Sequence, residues 1–135
     1  MPHLVFIGRV ESSILSLDQA PRQPDEGAPP AWLVFESSVR DALQSIRVGD
    51  RIIILTWLDQ ARRDVHTVHP RDDLTRPLTG VFSTRSPDRP NPIGLHDAQV
   101  IAIEGVRLQV RHLEALNGTP ILDVKPVIPQ APEER

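Results

Sequence analysis

From Ser86 to Pro92 the chain reads Ser-Pro-Asp-Arg-Pro-Asn-Pro, with prolines at positions 87, 90 and 92. Proline holds φ near −65°, lacks an N–H, and biases the residue before it away from the helical region. Ser86, Arg89 and Asn91 are therefore pushed toward extended or turn conformations. The result is a stiff loop whose polar side chains are aimed before any ligand arrives. With Arg85 and Arg89 it offers two guanidinium forks, a seat for an anionic or carboxylate-bearing ligand. The plainer alternative is a rigid turn with solvated arginines. On one side of the loop lies a short apolar run of β type, Val81-Phe82; on the other, apolar residues resume at Ile93 and Leu95.

The remaining apolar residues fall in short runs. His3 to Arg9, with Leu4, Val5, Phe6 and Ile7 followed by Gly8, reads as an opening strand, and Ala31 to Glu36 as a second. Arg51 to Leu58 is a continuous β-branched and aromatic run, the pattern of a central strand buried on both faces. Val106 to Arg111 alternates strictly, burying one face and presenting Arg107, Gln109 and Arg111. Glu104-Gly105 joins it to Ala98–Ile103 as a hairpin. Val39, Ala42, Leu43 and Ile46 have the i, i+3, i+4, i+7 spacing of one helix, with Ser37 or Ser38 as cap and Val48-Gly49-Asp50 as stop. Ser12 to Pro30 is a long loop, of the length that is usually functional or disordered. No Gly-x-Gly follows a first strand, and strands do not alternate with helices, so the chain is not a Rossmann fold. The expectation is a mainly β, small β-barrel-like single domain with one or two short helices.

At 135 residues one core suffices. Without cysteine there are neither disulfides nor thiolate metal sites, as suits a cytosolic protein. No apolar run approaches a membrane span, and none resembles a signal peptide. The net charge of −3 argues against nucleic-acid binding by overall charge. A local basic face stays open: from Ala61 to Pro90 six arginines stand against four aspartates, and Lys125 is the sole lysine. His66 and His69 lack a third ligand at fixed spacing and read as surface residues; no metal is expected.

Two segments carry a family resemblance. Thr84-Arg-Ser-Pro-Asp-Arg-Pro-Asn-Pro-Ile-Gly-Leu95 resembles the signature of the TsaA/TrmO family, also called YaeB-like or VirR-like proteins. Glu114-Ala-Leu-Asn-Gly-Thr-Pro-Ile-Leu-Asp-Val-Lys-Pro126 resembles that family's closing motif, Leu-Asp-Gly-Thr-Pro-Val-Leu-Asp-Ile-Lys-Pro. The resemblance runs from Gly8 to Pro129. It implies a small barrel that binds S-adenosyl-L-methionine near a homodimer interface in the cytoplasm. It also implies methylation of N6 of an adenosine beside the tRNA anticodon that already carries a threonylcarbamoyl group. The alternatives are a methyltransferase for another RNA or small substrate, and a non-catalytic S-adenosylmethionine-binding module. Longer family members carry a C-terminal domain that helps engage tRNA; residues 1–135 are expected to form the single TsaA-like domain without it.

Residue by residue, the resemblance implies cofactor contacts at Pro21, Arg22 and Gln23, at Asp59 and Gln60, at Arg85 and Leu95, and at Asn117, Gly118, Thr119 and Pro120. It assigns Arg89, Asn91 and Lys125 to the substrate. Three positions depart from the pattern. Asp59 stands where a histidine is common, Asn117 where an aspartate is, and Val127 where an aromatic often follows Lys-Pro. Methyl transfer to an exocyclic amine needs an acceptor that orients or takes the N–H proton. Asp123 is the first choice and Asp59 the second, with a backbone carbonyl near Asn117 as a third. Asp123 and Lys125, two apart on a strand, share a face, where the plain reading is an ion pair. Arg85 is expected to hold the cofactor's carboxylate or a substrate phosphate.

Overall fold

The computed structural model describes residues 2–14 and 30–128. Within them the strands are β1 (Gly8–Glu11), β2 (Ala31–Phe35), β3 (Arg51–Trp57), β4 (Thr67–Val68), β5 (Thr79–Gly80), β6 (Ile93–Glu104), β7 (Arg107–Arg111) and β8 (Pro120–Pro126). Six of them close into a barrel in the order β1-β2-β7-β6-β3-β8, every neighbour antiparallel. The seam is sealed by Gly8 opposite Ile121 and Arg9 opposite Pro120. Closure gives every strand of the barrel a neighbour on both sides. Strands β4 and β5 form a separate two-stranded ribbon within the excursion between β3 and β6.

Alternation decides which side chains fill the barrel. Val10, Leu33, Ile54, Val100, Leu108 and Val110 point inward and are fully buried. Their neighbours Arg9, Trp32, Val34, Arg107 and Gln109 lie on the outer wall, half-buried or exposed. The hairpin β6–β7 follows the expected pattern, with Glu104 opposite Arg107 across Gly105 at φ 59°.

Four expectations are corrected. Strand β3 has one buried face, Ile52, Ile54 and Thr56, while Ile53, Leu55 and Trp57 are half-buried outside, because a barrel wall has a core on one side only. The opening strand starts at Gly8; Leu4 and Val5 are 68% and 72% exposed, while Ile7 still bonds through its backbone to Ile121 and Glu36, each at 2.9 Å. The helix is a 3-10 helix, Ser37–Leu43, preceded by Glu36 with no side-chain cap bond. Val39, Leu43 and Ile46 still pack on the core, but Gln44 turns to extended backbone and Ser45 to φ 76°, ending the run early. Val81-Phe82 belongs to a 3-10 helix, Val81–Ser83, rather than to a strand. No helix among the described residues is long and apolar enough to cross a membrane.

Candidate functional site

The barrel's register gathers distant segments at one end. Trp57 pairs with Ile93, so the exit of β3 and the start of β6, with the proline loop before it, lie together. Thr56 pairs with Ile121, Arg9 with Pro120, Glu11 with Trp32, and Ala31 with Val110. The exits of β1 and β7 and the starts of β2 and β8 therefore share that end. Asp59, Gln60, Arg85, Arg89, Asn91, Asn117, Gly118, Thr119 and Pro120 all belong to these segments. Pro21, Arg22 and Gln23 lie outside the described residues.

The proline loop is held from within and from one side. Arg89 donates from Nε to the Ser86 carbonyl at 2.8 Å and from Nη2 to the carbonyls of Val81 and Thr84 at 2.6 and 2.5 Å. Its fork is engaged with backbone, which gives it a loop-building role in addition to the substrate role expected of it. Arg63, which the sequence reading passed over, clamps the loop from the β3 exit. It donates to the Pro90 carbonyl at 2.8 Å and to Asn91 Oδ1 at 3.0 Å, with its guanidinium 5.2 Å from the Trp57 ring centroid. Asp88 accepts from the Arg62 amide at 2.9 Å, and the Arg89 amide donates to the Arg62 carbonyl at 3.0 Å. The Arg62 fork pairs with Asp64 at 3.1 Å and holds that carboxyl below the usual carboxylate range. Arg85, by contrast, is exposed and has no hydrogen-bond or ion-pair partner among the described residues. Its charge is available.

On the other side of the same end lies the turn before β8. Gly118, at φ 87°, takes the left-handed conformation that the Asn-Gly pair predicts. Asn117 and Gly118 donate their amides to the carbonyls of Ile14 and Val10, each at 2.7 Å, and Asn117 Oδ1 accepts from the Ser12 amide at 3.1 Å. The buried Thr119 hydroxyl donates to the Leu116 carbonyl at 2.8 Å. Beside this turn opens a cavity of about 480 Å³ lined by Arg9, Glu11, Ser12, Trp32, Asn117 and Gly118, among others. That volume lies in the range of small-molecule sites. Glu11 bridges Arg9 and Arg107 at 3.1 and 3.2 Å, and Arg107 stacks 4.5 Å from the Trp32 centroid. Neither Trp32 nor Glu11 is a site candidate from the sequence; only the register brings them beside the turn.

Asp123 and Lys125 are placed elsewhere. They pair with Leu55 and Ile53, outer-wall residues of β3, and with each other at 3.4 Å, so the plain ion-pair reading holds. Asp123 Oδ1 also accepts its neighbour Val124's amide at 2.8 Å. Neither residue lines the cavity. Leu95, opposite Leu55 on the same wall, is 48% exposed. Asp59 and Gln60 are exposed in the turn where the Ala61 amide bonds the Leu58 carbonyl. His69 Nδ1 lies 3.0 Å from the Arg76 carbonyl, and no metal-ligand cluster occurs among the described residues.

A buried polar chain beneath the proline loop had no sequence signal, because its members come from three separate segments. Thr56 Oγ1 is 2.8 Å from His96 Nε2, and His96 Nδ1 is 3.3 Å from Glu114 Oε1. The carboxylate requires a donor at Nδ1, which in a neutral ring leaves Nε2 to accept the Thr56 hydroxyl. Glu114 Oε2 is buried without a hydrogen-bond partner among the described residues. This chain ties β3 and β6 to the segment that carries Asn117.

A family model described as the tRNA-methyltransferase O N-terminal domain matches residues 9–132. A protein of Archaeoglobus fulgidus named S-adenosyl-L-methionine-binding protein is 39% identical over 124 residues, covering 92% of this chain and 88% of that protein. A Rhizobium radiobacter protein, named probable S-adenosyl-L-methionine-binding protein VirR, is 37% identical over 123 residues, 91% of this chain and 69% of that protein. Among solved structures, a crystal structure of TrmO aligns at TM-score 0.77 and 31% identity, covering 98% of this chain and 60% of that one. TrmO from Pseudomonas aeruginosa aligns at TM-score 0.74 and 28% identity, covering 98% and 58%. The chain thus spans under two thirds of these two TrmO chains.

Proposed function

Because this chain belongs to the family of tRNA-methyltransferase O N-terminal domains, we propose that it binds S-adenosyl-L-methionine at the gathered end of the barrel and methylates tRNA there. The acceptor would be N6 of the threonylcarbamoyl-bearing adenosine beside the anticodon. The observation that carries this reading is the convergence of the proline loop, the β3 exit and the Asn117–Gly118 turn on one barrel end. The residues present suit such a cofactor. An unpartnered guanidinium at Arg85 matches a carboxylate, and an exposed Asp59 matches an amino group or a sulfonium charge. When bound, the cofactor supplies an electrophilic methyl group on sulfur.

The chain's own contribution is alignment, which can lower a barrier by roughly 7–11 kcal/mol when the reacting atoms are held in line. Arg85 holds a carboxylate; the loop stiffened by Arg89 and Arg63 fixes the backbone from which that guanidinium reaches. Asp59 stands at the open end as the acceptor that orients or takes the amine N–H proton. Asp123, engaged on the outer wall, needs a second subunit to bring substrate to it. The apolar wall of Ile53, Leu55, Ile93 and Leu95, with Ile93 and Leu95 42% and 48% exposed, supports a homodimer that would do so. We place the protein in the cytoplasm.

Calorimetric titration with S-adenosylmethionine, with Arg85→Ala alongside, tests the cofactor reading. Micromolar binding corresponds to about −8 kcal/mol. Loss of that binding in a folded variant supports the role given to Arg85, and equal affinity overturns it. Methyl transfer to threonylcarbamoylated tRNA, and to bulk RNA, then separates the preferred acceptor from another one. Binding without turnover on any RNA favours the non-catalytic alternative, to which the outward position of Asp123 already lends weight.

A further inference from the structure

Phe82 is 86% exposed, more than any other large apolar side chain among the described residues. A single exposed apolar residue is ordinary; the way this one is mounted is not. Its neighbour Val81 is buried, and the Val81 amide bonds the His66 carbonyl at 2.9 Å. The Val81 carbonyl accepts from the Thr84 amide at 3.0 Å, from the Thr84 hydroxyl at 2.9 Å and from Arg89 Nη2 at 2.6 Å. Thr84 is fixed in turn by Arg89 through its carbonyl, and its hydroxyl oxygen accepts from the Ser86 amide at 3.1 Å. The backbone on both sides of Phe82 is therefore locked while its ring faces solvent.

Three residues further along stands Arg85. A span of three residues reaches at most about 11 Å between Cα atoms, so Phe82 is mounted close along the chain to the arginine that we assign to the cofactor. The nearby Asp88 is turned to the Arg62 amide and does not neutralise Arg85. In sequence, the excursion from Ala61 to Pro90 that carries the ring has six arginines against four aspartates. A rigid, exposed aromatic close along the chain to the arginine that holds the cofactor is placed to stack an unpaired base beside the reacting one.

We propose that Phe82 is a stacking platform for a base of single-stranded RNA next to the nucleotide being methylated, an inference that rests on the tRNA reading above. A second copy of this chain suits the site less well. The barrel's outer wall offers a copy the apolar residues Ile53, Leu55, Ile93 and Leu95, whereas Phe82 lies on the excursion before β6, outside the strands of that wall.

The test uses the full chain and a labelled anticodon stem-loop RNA, with a fully paired RNA as control. Phe82→Ala is expected to weaken stem-loop binding by about 5- to 150-fold. Phe82→Trp restores affinity, while Phe82→Leu, apolar but not flat, does not. Binding of S-adenosylmethionine and the oligomeric state stay as in the wild type. Equal stem-loop affinity in Phe82→Ala overturns the platform and leaves the tRNA reading standing. Loss of self-association in Phe82→Ala overturns it in favour of a subunit contact. A wild-type protein that binds cofactor and no RNA overturns both readings.

Discussion

Replacing Gly94 by alanine tests whether the polar chain beneath the proline loop is as tightly built as its geometry indicates. A Cβ at position 94 would lie 2.5 Å from Thr56 Oγ1, 2.8 Å from His96 Nε2 and 3.2 Å from Leu58 Cδ2. Real Cβ contacts do not come that close, so something must move. Thr56 is fully buried and sits directly opposite Gly94 on β3, so it cannot retreat without rotating its hydroxyl off His96 or prising β3 from β6. Overpacking of this kind costs about 1–3 kcal/mol. Stranding the buried His96 nitrogen adds about 1–3 kcal/mol. We expect a loss of about 2–6 kcal/mol in urea unfolding with an unchanged m-value, a large share of the 5–15 kcal/mol typical of a domain. Adding Thr56→Ala to the variant should relieve the hydroxyl clash, so the two losses combine to less than their sum. A Gly94→Ala protein within about 0.5 kcal/mol of wild type would refute the reasoning.

Three further outcomes are expected. Thr56→Val keeps the shape and removes the hydroxyl, so thermal unfolding should show a loss of about 1–3 kcal/mol from the unpaired His96 nitrogen. Arg89→Lys keeps the charge but not the fork that reaches three carbonyls. Loop cleavage by protease should quicken by the equivalent of about 1–3 kcal/mol, with β-barrel core amides unchanged in hydrogen exchange. Asp73, whose carboxyl is held low by hydrogen bonds from the Thr75 side chain and amide and, more weakly, by the charge of Arg76, stabilises the fold above the ordinary carboxylate range and loses that contribution as pH falls through its depressed value. Asp73→Asn should therefore lie below wild type in Tm at neutral pH, and the two should converge below about pH 4.

The barrel was legible because its strands announce themselves by alternation: Val106 to Arg111 is the clearest case, and the Glu104-Gly105 turn fixes its partner. What alternation cannot give is the ring order. That β3 pairs with β8, and β1 with β8, follows from contacts across the chain that no local window contains. The short helix misled because i, i+3, i+4 spacing also suits a 3-10 turn laid over a core, and Ser45 at positive φ is invisible in composition. The proline loop was legible as a rigid element and its arginines as interesting, but their division of labour was not. Arg85 and Arg89 are alike in sequence; only geometry shows one free and the other engaged with its own backbone. Trp32, Arg63 and the Thr56–His96–Glu114 chain were missed because each gains its significance from a neighbour dozens of residues away.

The link between Ser12 and Asn117, 105 residues apart, has a kinetic meaning. Barrels dominated by such distant pairings form slowly, because a long loop must close before any contact compensates for the lost freedom. Strand β1 is made early in synthesis and has β2 to pair with, but its other edge stays open until β8 has left the ribosome. The turn at Asn117 and Gly118 can dock on Val10 and Ile14 only then. The ligand-facing end is therefore assembled late, so a cofactor that needs both walls of the cavity recognises finished chains and passes over nascent ones.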